Sequence, residues 1–138
     1  MTVMGIDLGL ARTGVAVGDS ATGFAFPKTV IAEYHTERLL QKLCALAKEV
    51  GAERLVVGLP KNMDGSMGER AQTCAEIAKE LQAQSGIETV LWDERSTTVS
   101  AYTALNDAGV YGKKRKQAVD AVAATIILES YLLSLKNT

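Results

Sequence analysis

Four acidic residues, Asp7, Asp93, Glu94 and Asp120, stand inside apolar segments or at their ends. An ionised carboxylate is costly to bury unless it is paired or bound to a cation. Carboxylate oxygens with no histidine nearby suit a hard cation such as Mg²⁺ or Mn²⁺. Two such ions ~4 Å apart can activate a water and stabilise the leaving oxygen of a phosphodiester. These residue types therefore predict metal-dependent phosphodiester hydrolysis, provided that the fold brings the carboxylates together.

Each carboxylate also has a purely structural interpretation. Asp7 could cap the turn that follows it, because aspartate favours such positions. Asp120 could be a helix-start charge, since carboxylates suit helix N-termini. Asp93 and Glu94 are consecutive in a predicted strand and point to opposite faces, so at most one of them would reach a shared site. The other could pair with Arg95.

Basic residues near these acids predict contacts with a phosphate backbone. The run at positions 113–116 ends four residues before Asp120 and would offset the charge that metal ligands present to a polyanion. A solvated loop is the alternative for that run, and a plain surface turn is the alternative for the loop at positions 61–70. The candidates for nucleic-acid contact are Lys61, Arg70, Arg95, Lys113, Lys114, Arg115 and Lys116.

The apolar pattern predicts the element order βββαβαβαα. The first two strands form a hairpin, and Pro27 favours an edge or an irregularity in the third. Gly51 and Gly86 follow two helical stretches as candidate ends. The segment VYGKKRKQ is predicted as a loop, with Asp120 opening the last helix. The expected apolar stripe of that helix is Val119, Val122, Ala123, Ile126 and Leu133.

This order implies a mixed α/β sheet with helices on both faces. In such sheets, sites form beyond the carboxyl ends of the strands. The acidic residues would therefore converge only if the strand that carries Asp7 lies centrally, next to the strand that leads to Asp93 and Glu94.

Length and composition predict one globular domain that spans residues 1–138. Apolar residues make up 47% of the chain, charged residues 22%, and the net charge is −1. Cys44 and Cys74 fall in helical patterns and are expected to be buried thiols, while the single His35 argues against a histidine-based zinc site. The absence of a signal-peptide pattern and of a long apolar run favours a cytoplasmic protein without membrane contact.

Four segments, in order along the chain, resemble those of one protein family. They are GIDLGLARTGVAVGD, VVGLPKNMDGS, LWDERSTT and VDAVAATIILESYL. Together they resemble the YqgF/RuvX family, the pre-16S rRNA nucleases that are also called Holliday junction resolvase-like proteins. The resemblance covers the whole chain.

The resemblance implies a ribonuclease H-like fold, with a five-stranded mixed sheet in the order 3-2-1-4-5 and the Asp7 strand at its centre. It implies that Asp7, Glu94 and Asp120 are catalytic and hold two Mg²⁺ or Mn²⁺ ions, with Asp93 as the substitute for Glu94. Related resolvases carry their second carboxylate on the fourth strand, where this chain has VVGLP and no acid. The fifth strand would have to supply the missing ligand.

More than one activity fits these features. The predicted function is a hydrolase, a metal-dependent endonuclease that acts on structured RNA in the maturation of the 5′ end of pre-16S rRNA. One alternative is a resolvase-like nuclease of branched DNA, and symmetric cutting of a junction would require a dimer. Another is a non-catalytic nucleic-acid-binding module. An ATP-binding protein of the sugar-kinase and actin type would need a second domain. Monomer and homodimer both remain open.

Overall fold

A computed structural model describes residues 1–96 and 113–136, with side chains described for residues 1–95 and 121–136. In this part of the chain, five strands form one mixed sheet in the order β3-β2-β1-β4-β5. β1 pairs antiparallel with β2 and parallel with β4, and β4 pairs parallel with β5. The predicted order is therefore confirmed, with Asp7 on the central strand. The strands are β1 (Thr2–Asp7), β2 (Arg12–Asp19), β3 (Ala25–Ala32), β4 (Arg54–Leu59) and β5 (Glu88–Asp93).

Helices cover both faces of the sheet, as predicted. α1 (Thr36–Val50) and α2 (Glu69–Ser85) pack on one face and α3 (Lys113–Lys136) packs on the other. α1 and α2 end at Gly51 and Gly86, which have positive φ angles. The further helix that the sequence predicts, ending near Gly109, lies outside the described residues.

The third strand lies at the edge of the sheet and is irregular, as Pro27 predicts. Val15 pairs with Thr29, whereas the next residue, Ala16, pairs with Pro27. The register therefore shifts by one residue at this point. Pro27 is tolerated there because an edge strand can lack an N–H donor without breaking a ladder on both sides.

Alternating side chains of the strands divide the core into two layers. Met4 and Ile6 of β1 pack beneath α1 and α2, while Val3 packs beneath α3. In β4, Val57 likewise packs beneath α1 and α2, and Val56 packs beneath α3. The period of two along a strand therefore sends odd-numbered residues of β1 toward α3, and Asp7 belongs to that set.

The start of α3 differs from the prediction. The helix begins at Lys113, so the basic run forms its first turn rather than a loop, and Asp120 lies about two turns inside the helix rather than at its start. Lysine, arginine, glutamine and alanine favour helix, and no glycine or proline interrupts the sequence after Gly112. None of the described helices, α3 included, is long and apolar enough to cross a membrane.

The apolar stripe predicted for α3 is also largely wrong. Ala123 is buried as expected, but Leu133 is 60% exposed, and Val122 and Ile126 are only partly buried. The predicted Val119 lies outside the described side chains. Apolar residues surround much of the helix, so their spacing does not define one face. The face that meets the sheet consists of Ala124, Ile127, Leu128, Tyr131 and Leu132.

Small residues at the contact let α3 lie close to β1. A Cβ atom at Gly5 would come within 2.8 Å of the Leu128 Cβ and 3.2 Å of the Ala124 carbonyl oxygen. Toward its C-terminal end, α3 is anchored by Tyr131, whose ring meets the Trp92 ring edge-on with centroids 5.6 Å apart. Arg54 donates a 2.8 Å hydrogen bond to the Tyr131 hydroxyl. These contacts fix the position of α3 along the sheet.

The two cysteines are free thiols. Cys74 is buried as predicted, whereas Cys44 is only partly buried at the margin of the core. Burial raises the pKa of both thiols. Neither cysteine forms a disulfide.

Candidate active site

The carboxyl ends of three parallel strands meet at one edge of the sheet, and Asp7 lies there as the last residue of β1. Ile6 pairs with Val57, which places Asp7 beside Gly58 of β4. Gly58 in turn pairs with Trp92 of β5. A side chain that follows β5 therefore needs to span only the width of β4 to reach Asp7.

Glu94 spans that width. The sequence suggested that Glu94 is the last residue of β5. In the structure it instead begins a short 3₁₀ turn, Glu94–Ser96, directly after the strand. Its side chain forms a hydrogen bond with Asp7. A Cβ atom at Gly58 would lie 3.1 Å from the Glu94 Cγ and 3.2 Å from its Cδ. The Glu94 carboxylate thus occupies the space over β4 that the missing side chain of Gly58 leaves open.

The carboxylate pair lies in a partly desolvated environment. The pKa of Glu94 is raised, mainly by burial and further by the charge of Asp93, while Arg70 and the hydrogen bond with Asp7 act in the opposite direction. Two carboxylates in contact repel each other when both are ionised, so the pair favours either a shared proton or a cation. An all-oxygen pair of this kind fits a hard divalent cation.

Asp93 has a different partner. Arg95 Nη2 donates a 2.7 Å hydrogen bond to Asp93 Oδ2, and the backbone N–H of Arg95 donates a 2.9 Å bond to Oδ1. The hydrogen bond from the Arg95 side chain is the main reason why the pKa of Asp93 is lowered. The structure therefore brings Glu94 to Asp7 and leaves Asp93 engaged with Arg95.

The remaining predicted ligand is Asp120, whose side chain lies outside the described part of the chain, as do those of Lys113, Lys114, Arg115 and Lys116. Among the side chains that are described, no three carboxylate, thiol or imidazole groups gather as a metal site. Of the predicted metal ligands, the described side chains therefore include the pair Asp7 and Glu94.

Three predicted cationic residues border the pair or its neighbour Asp93. Arg70, in the first turn of α2, donates a 2.7 Å hydrogen bond from Nη2 to the Leu8 carbonyl oxygen, next to Asp7. Its charge lowers the pKa of Glu94. The charge of Lys61 acts on Asp93 in the same way. Arg95 completes the set through its bond to Asp93.

The loop that the sequence predicts at positions 61–70 is shorter than expected, because α2 begins at Glu69, and its residues 61–68 form an organised turn. Asp64 Oδ1 accepts hydrogen bonds of 2.9 Å from the Ser66 N–H and 2.6 Å from the Ser66 hydroxyl. The Asn62 N–H donates to the Ser66 carbonyl oxygen at 3.0 Å. Arg95 Nη1 donates a 3.4 Å hydrogen bond to the Met63 carbonyl oxygen. Arg95 thereby joins this loop to the end of β5.

Sequence reasoning missed two residues of the site. Gly58 makes room for Glu94, and the signal for it was present in VVGLP, where a residue without a side chain occurs in an otherwise bulky strand. The sequence predicts Cys74 only as a buried thiol. Burial is the main cause of its raised pKa, the charge of Arg70 acts in the opposite direction, and the charges of Glu94 and Asp7 raise the pKa further, so the thiol is electrostatically linked to the pair.

Comparison with known proteins connects this geometry to a family. The model of the RuvX family, described as Holliday junction resolvase, matches residues 1–134. The chain belongs to the RuvX family. A relative from Shouchella clausii, named "Putative pre-16S rRNA nuclease", is 42% identical over 134 residues, which cover 96% of this chain and 94% of the relative. A relative of the same name from Nitrosospira multiformis is 41% identical over 130 residues, covering 94% and 86%. The RuvX chain is thus a nuclease and, as such, a hydrolase.

Solved structures with the same fold include two resolvases. RuvC of T. thermophilus in complex with a Holliday junction substrate superposes with a TM-score of 0.62 at 16% identity, covering 100% of the RuvX chain and 97% of that chain. The Fowlpox virus resolvase in complex with Holliday junction DNA gives 0.59 at 10% identity, covering 98% and 99%. These likenesses confirm the ribonuclease H-like fold.

Proposed function

We propose that this RuvX chain is a metal-dependent endonuclease that hydrolyses phosphodiester bonds in the maturation of the 5′ end of pre-16S rRNA. The observation that carries the proposal is the contact between Asp7 and Glu94 above Gly58, at the carboxyl edge of the parallel strands. Catalytic sites of α/β sheets form at this edge. A role in rRNA maturation would place the protein in the cytoplasm.

Asp7 and Glu94 would hold the divalent cation, Mg²⁺ or Mn²⁺, with Asp120 as a third ligand. When bound, a pair of such ions supplies an activated water and charge stabilisation at the leaving oxygen. The chain itself contributes the partly buried pair of carboxylates and the cation Arg70 at their margin. Arg70 reduces the repulsion between the acidic site and a phosphate backbone.

The backbone of α3 supports the inclusion of Asp120. Ala124 lies against Gly5 of β1, and Leu132 lies near Gly18, which pairs with Val3. The helix therefore runs antiparallel to β1. One helical turn from Ala124 back to Asp120 covers about 6 Å, and two strand residues from Gly5 on to Asp7 cover about 6.6 Å. The two steps are similar in length, and this agreement supports Asp120 as the third ligand.

The substrate proposal rests on the curated relatives, which are about 40% identical and carry the name of rRNA nucleases. A four-way DNA junction is the second candidate because the family model is described as Holliday junction resolvase. A cleavage assay with Mg²⁺ or Mn²⁺ should therefore compare a pre-16S rRNA 5′ fragment with a synthetic junction. Preferential cutting of the junction would overturn the rRNA assignment.

A matched pair of variants tests the site itself. Glu94→Gln and Asp93→Asn each remove one negative charge from adjacent residues. We expect Glu94→Gln to lower cleavage by about a hundredfold or more, since even partners of a metal ligand contribute about 10–100-fold. Asp93→Asn should change it only a few-fold, because the amide oxygen still accepts a hydrogen bond from the Arg95 N–H. Equal losses for the two variants would contradict the assignment of Glu94.

Calorimetric titration with Mn²⁺ separates a nuclease from a non-catalytic binding module. Wild-type protein should bind Mn²⁺, and Asp7→Asn and Asp120→Asn should bind it more weakly and cut the RNA more slowly. If Asp7→Asn bound Mn²⁺ as well as the wild type, the metal-site proposal would be wrong.

A further inference from the structure

A recess opens on the other side of the β1 terminus from the carboxylate pair. Its volume is about 470 Å³, and it lies between the carboxyl end of β1 and the first turns of α1 and α2. Ligand sites in proteins commonly fall in this size range. The residues that matter for its chemistry are Leu10, Glu33, Tyr34, Glu69, Arg70 and Cys74.

The recess and the carboxylate pair are immediate neighbours. Asp7 faces α3, while the next residue, Leu8, lines the recess on the opposite face of β1. Their Cα atoms are about 3.8 Å apart. Arg70 borders both places, since it lines the recess and its charge acts on Glu94. A strand of nucleic acid that passes over Asp7 therefore also passes the mouth of the recess.

The rim of the recess presents apolar side chains to solvent. Tyr34 is 79% exposed and Leu10 is 82% exposed. Exposed aromatic rings next to a nuclease site are suited to stacking on a base, because every base has a π-face that an aromatic side chain can cover. Sequence-specific binding of RNA uses such unstacked bases in loops, bulges and single strands.

The charges of the lining favour a base over a phosphate. Among the described residues that line the recess, Arg70 is the only cation, against the carboxylates of Glu33 and Glu69. Arg70 is also committed in part to the Leu8 carbonyl oxygen. Lys42 pairs with Glu33 at 3.1 Å and fixes the orientation of that carboxylate. The lining thus has no surplus of positive charge for a phosphate, and Glu33 can accept a hydrogen bond from an amino group of a base.

We propose that this recess receives one unstacked nucleobase of the RNA strand that is bound at Asp7 and Glu94, with Tyr34 as the stacking surface. The inference rests on the proposed function and adds to it a positioning element. Holding the base on one side of the β1 terminus would hold the backbone of the same strand over Asp7 on the other. The enzyme would then prefer RNA whose bases near the scissile bond are unpaired.

The test uses a short single-stranded RNA that carries 2-aminopurine at each position in turn, bound to the full chain in the presence of EDTA so that no cleavage occurs. Tyr34→Ala should weaken binding about 5- to 150-fold, the range found for stacking of one base on an aromatic side chain. Tyr34→Phe keeps the ring and should bind like the wild type. Because Tyr34 is largely exposed, neither change should affect folding.

At one position, the fluorescence of 2-aminopurine should change on binding to the wild type and to Tyr34→Phe but not to Tyr34→Ala. Removing the base at that position should abolish the difference in affinity between wild type and Tyr34→Ala. Equal RNA affinities of the wild type and Tyr34→Ala would overturn the inference. If Tyr34-dependent binding were found but no RNA were cut with Mg²⁺ or Mn²⁺, the proposed function would be wrong and the recess assignment would stand.

Discussion

Replacing Gly58 with alanine adds one methyl group between β4 and the catalytic edge of the site. The new Cβ would lie 2.7 Å from the Ile127 Cδ1 and 3.1 Å from the Glu94 Cγ. Both distances are shorter than the ~3.5–4.0 Å at which carbon atoms pack without strain. The contact with Ile127 overpacks the core and should lower stability. The contact with Glu94 displaces a proposed metal ligand and should lower activity. The two effects can be separated.

The stability cost should be moderate. Overpacking by one methyl group typically costs about 1–3 kcal/mol. Alanine restores about 0.5–1 kcal/mol of this, because it loses less backbone entropy than glycine when the strand folds. The free energy of unfolding of Gly58→Ala should therefore fall by about 0–2.5 kcal/mol. The protein stays folded, so a loss of activity can be measured on intact molecules.

The effect on activity should be larger. Relieving the contact requires the Glu94 Cγ to move by about 0.4 Å or more. Misplacing a catalytic group by about 1 Å can cost a hundredfold in rate. We expect kcat/KM of Gly58→Ala for the pre-16S rRNA 5′ fragment to fall about tenfold or more, with weaker Mn²⁺ binding in calorimetric titration.

The double variant Gly58→Ala/Ile127→Val is the matched control. It removes the Ile127 Cδ1 methyl that the new Cβ strikes but keeps the contact with Glu94. Its stability should return to that of Ile127→Val alone, while its activity and Mn²⁺ affinity stay low. If activity recovered together with stability, the displacement of Glu94 would not be the cause and the reasoning would be refuted. Full activity of Gly58→Ala would refute it as well.

Two further predictions concern charge. Arg95 lowers the pKa of Asp93 in the folded protein. The pairing of the two residues therefore stabilises the folded state above the pKa of Asp93 in the unfolded chain, about 3.9, and this stabilisation is lost as the pH falls through the pKa of Asp93 in the folded protein. The melting temperature of Arg95→Ala should therefore fall less steeply than that of the wild type below about pH 4, and parallel curves would contradict the pairing. Replacing residues 113–116 with serine should weaken RNA binding and reduce the slope of log K against log salt by up to about 3. An unchanged slope would mean that these four residues are solvated and do not contact the phosphate backbone.

Much of the fold was predictable because its signals are local or come in repeated patterns. Buried strands such as RLVVGL and the helix ends at Gly51 and Gly86 depend on hydrophobic runs and backbone requirements within a few residues. The phase of α3 was not predictable in this way. Its sequence is apolar around most of its surface, and the contacting face is selected by a distant feature, the close approach at Gly5.

The candidate site shows the same division. Asp7 was predictable because a carboxylate in a buried strand is costly without a partner. The choice between Asp93 and Glu94 could not be made from strand alternation, since Glu94 does not belong to the strand. Its direction is set by the 3₁₀ turn and by the space above Gly58, a contact between residues 36 positions apart in sequence.

The position of Glu94 outside the strand has a consequence for how the site is held. A carboxylate on a strand is oriented by the hydrogen bonds that pair the strand with its neighbour, and a residue in a turn lacks this support. Here the two residues that flank Glu94 supply support of another kind. Asp93 accepts hydrogen bonds from both the N–H and the guanidinium of Arg95, so the residues immediately before and after Glu94 are bonded to each other. Arg95 in turn contacts the Met63 carbonyl of the 61–68 loop. We therefore expect Asp93 and Arg95 to act as positioning residues for Glu94, the acid that follows the fifth strand in this RuvX chain.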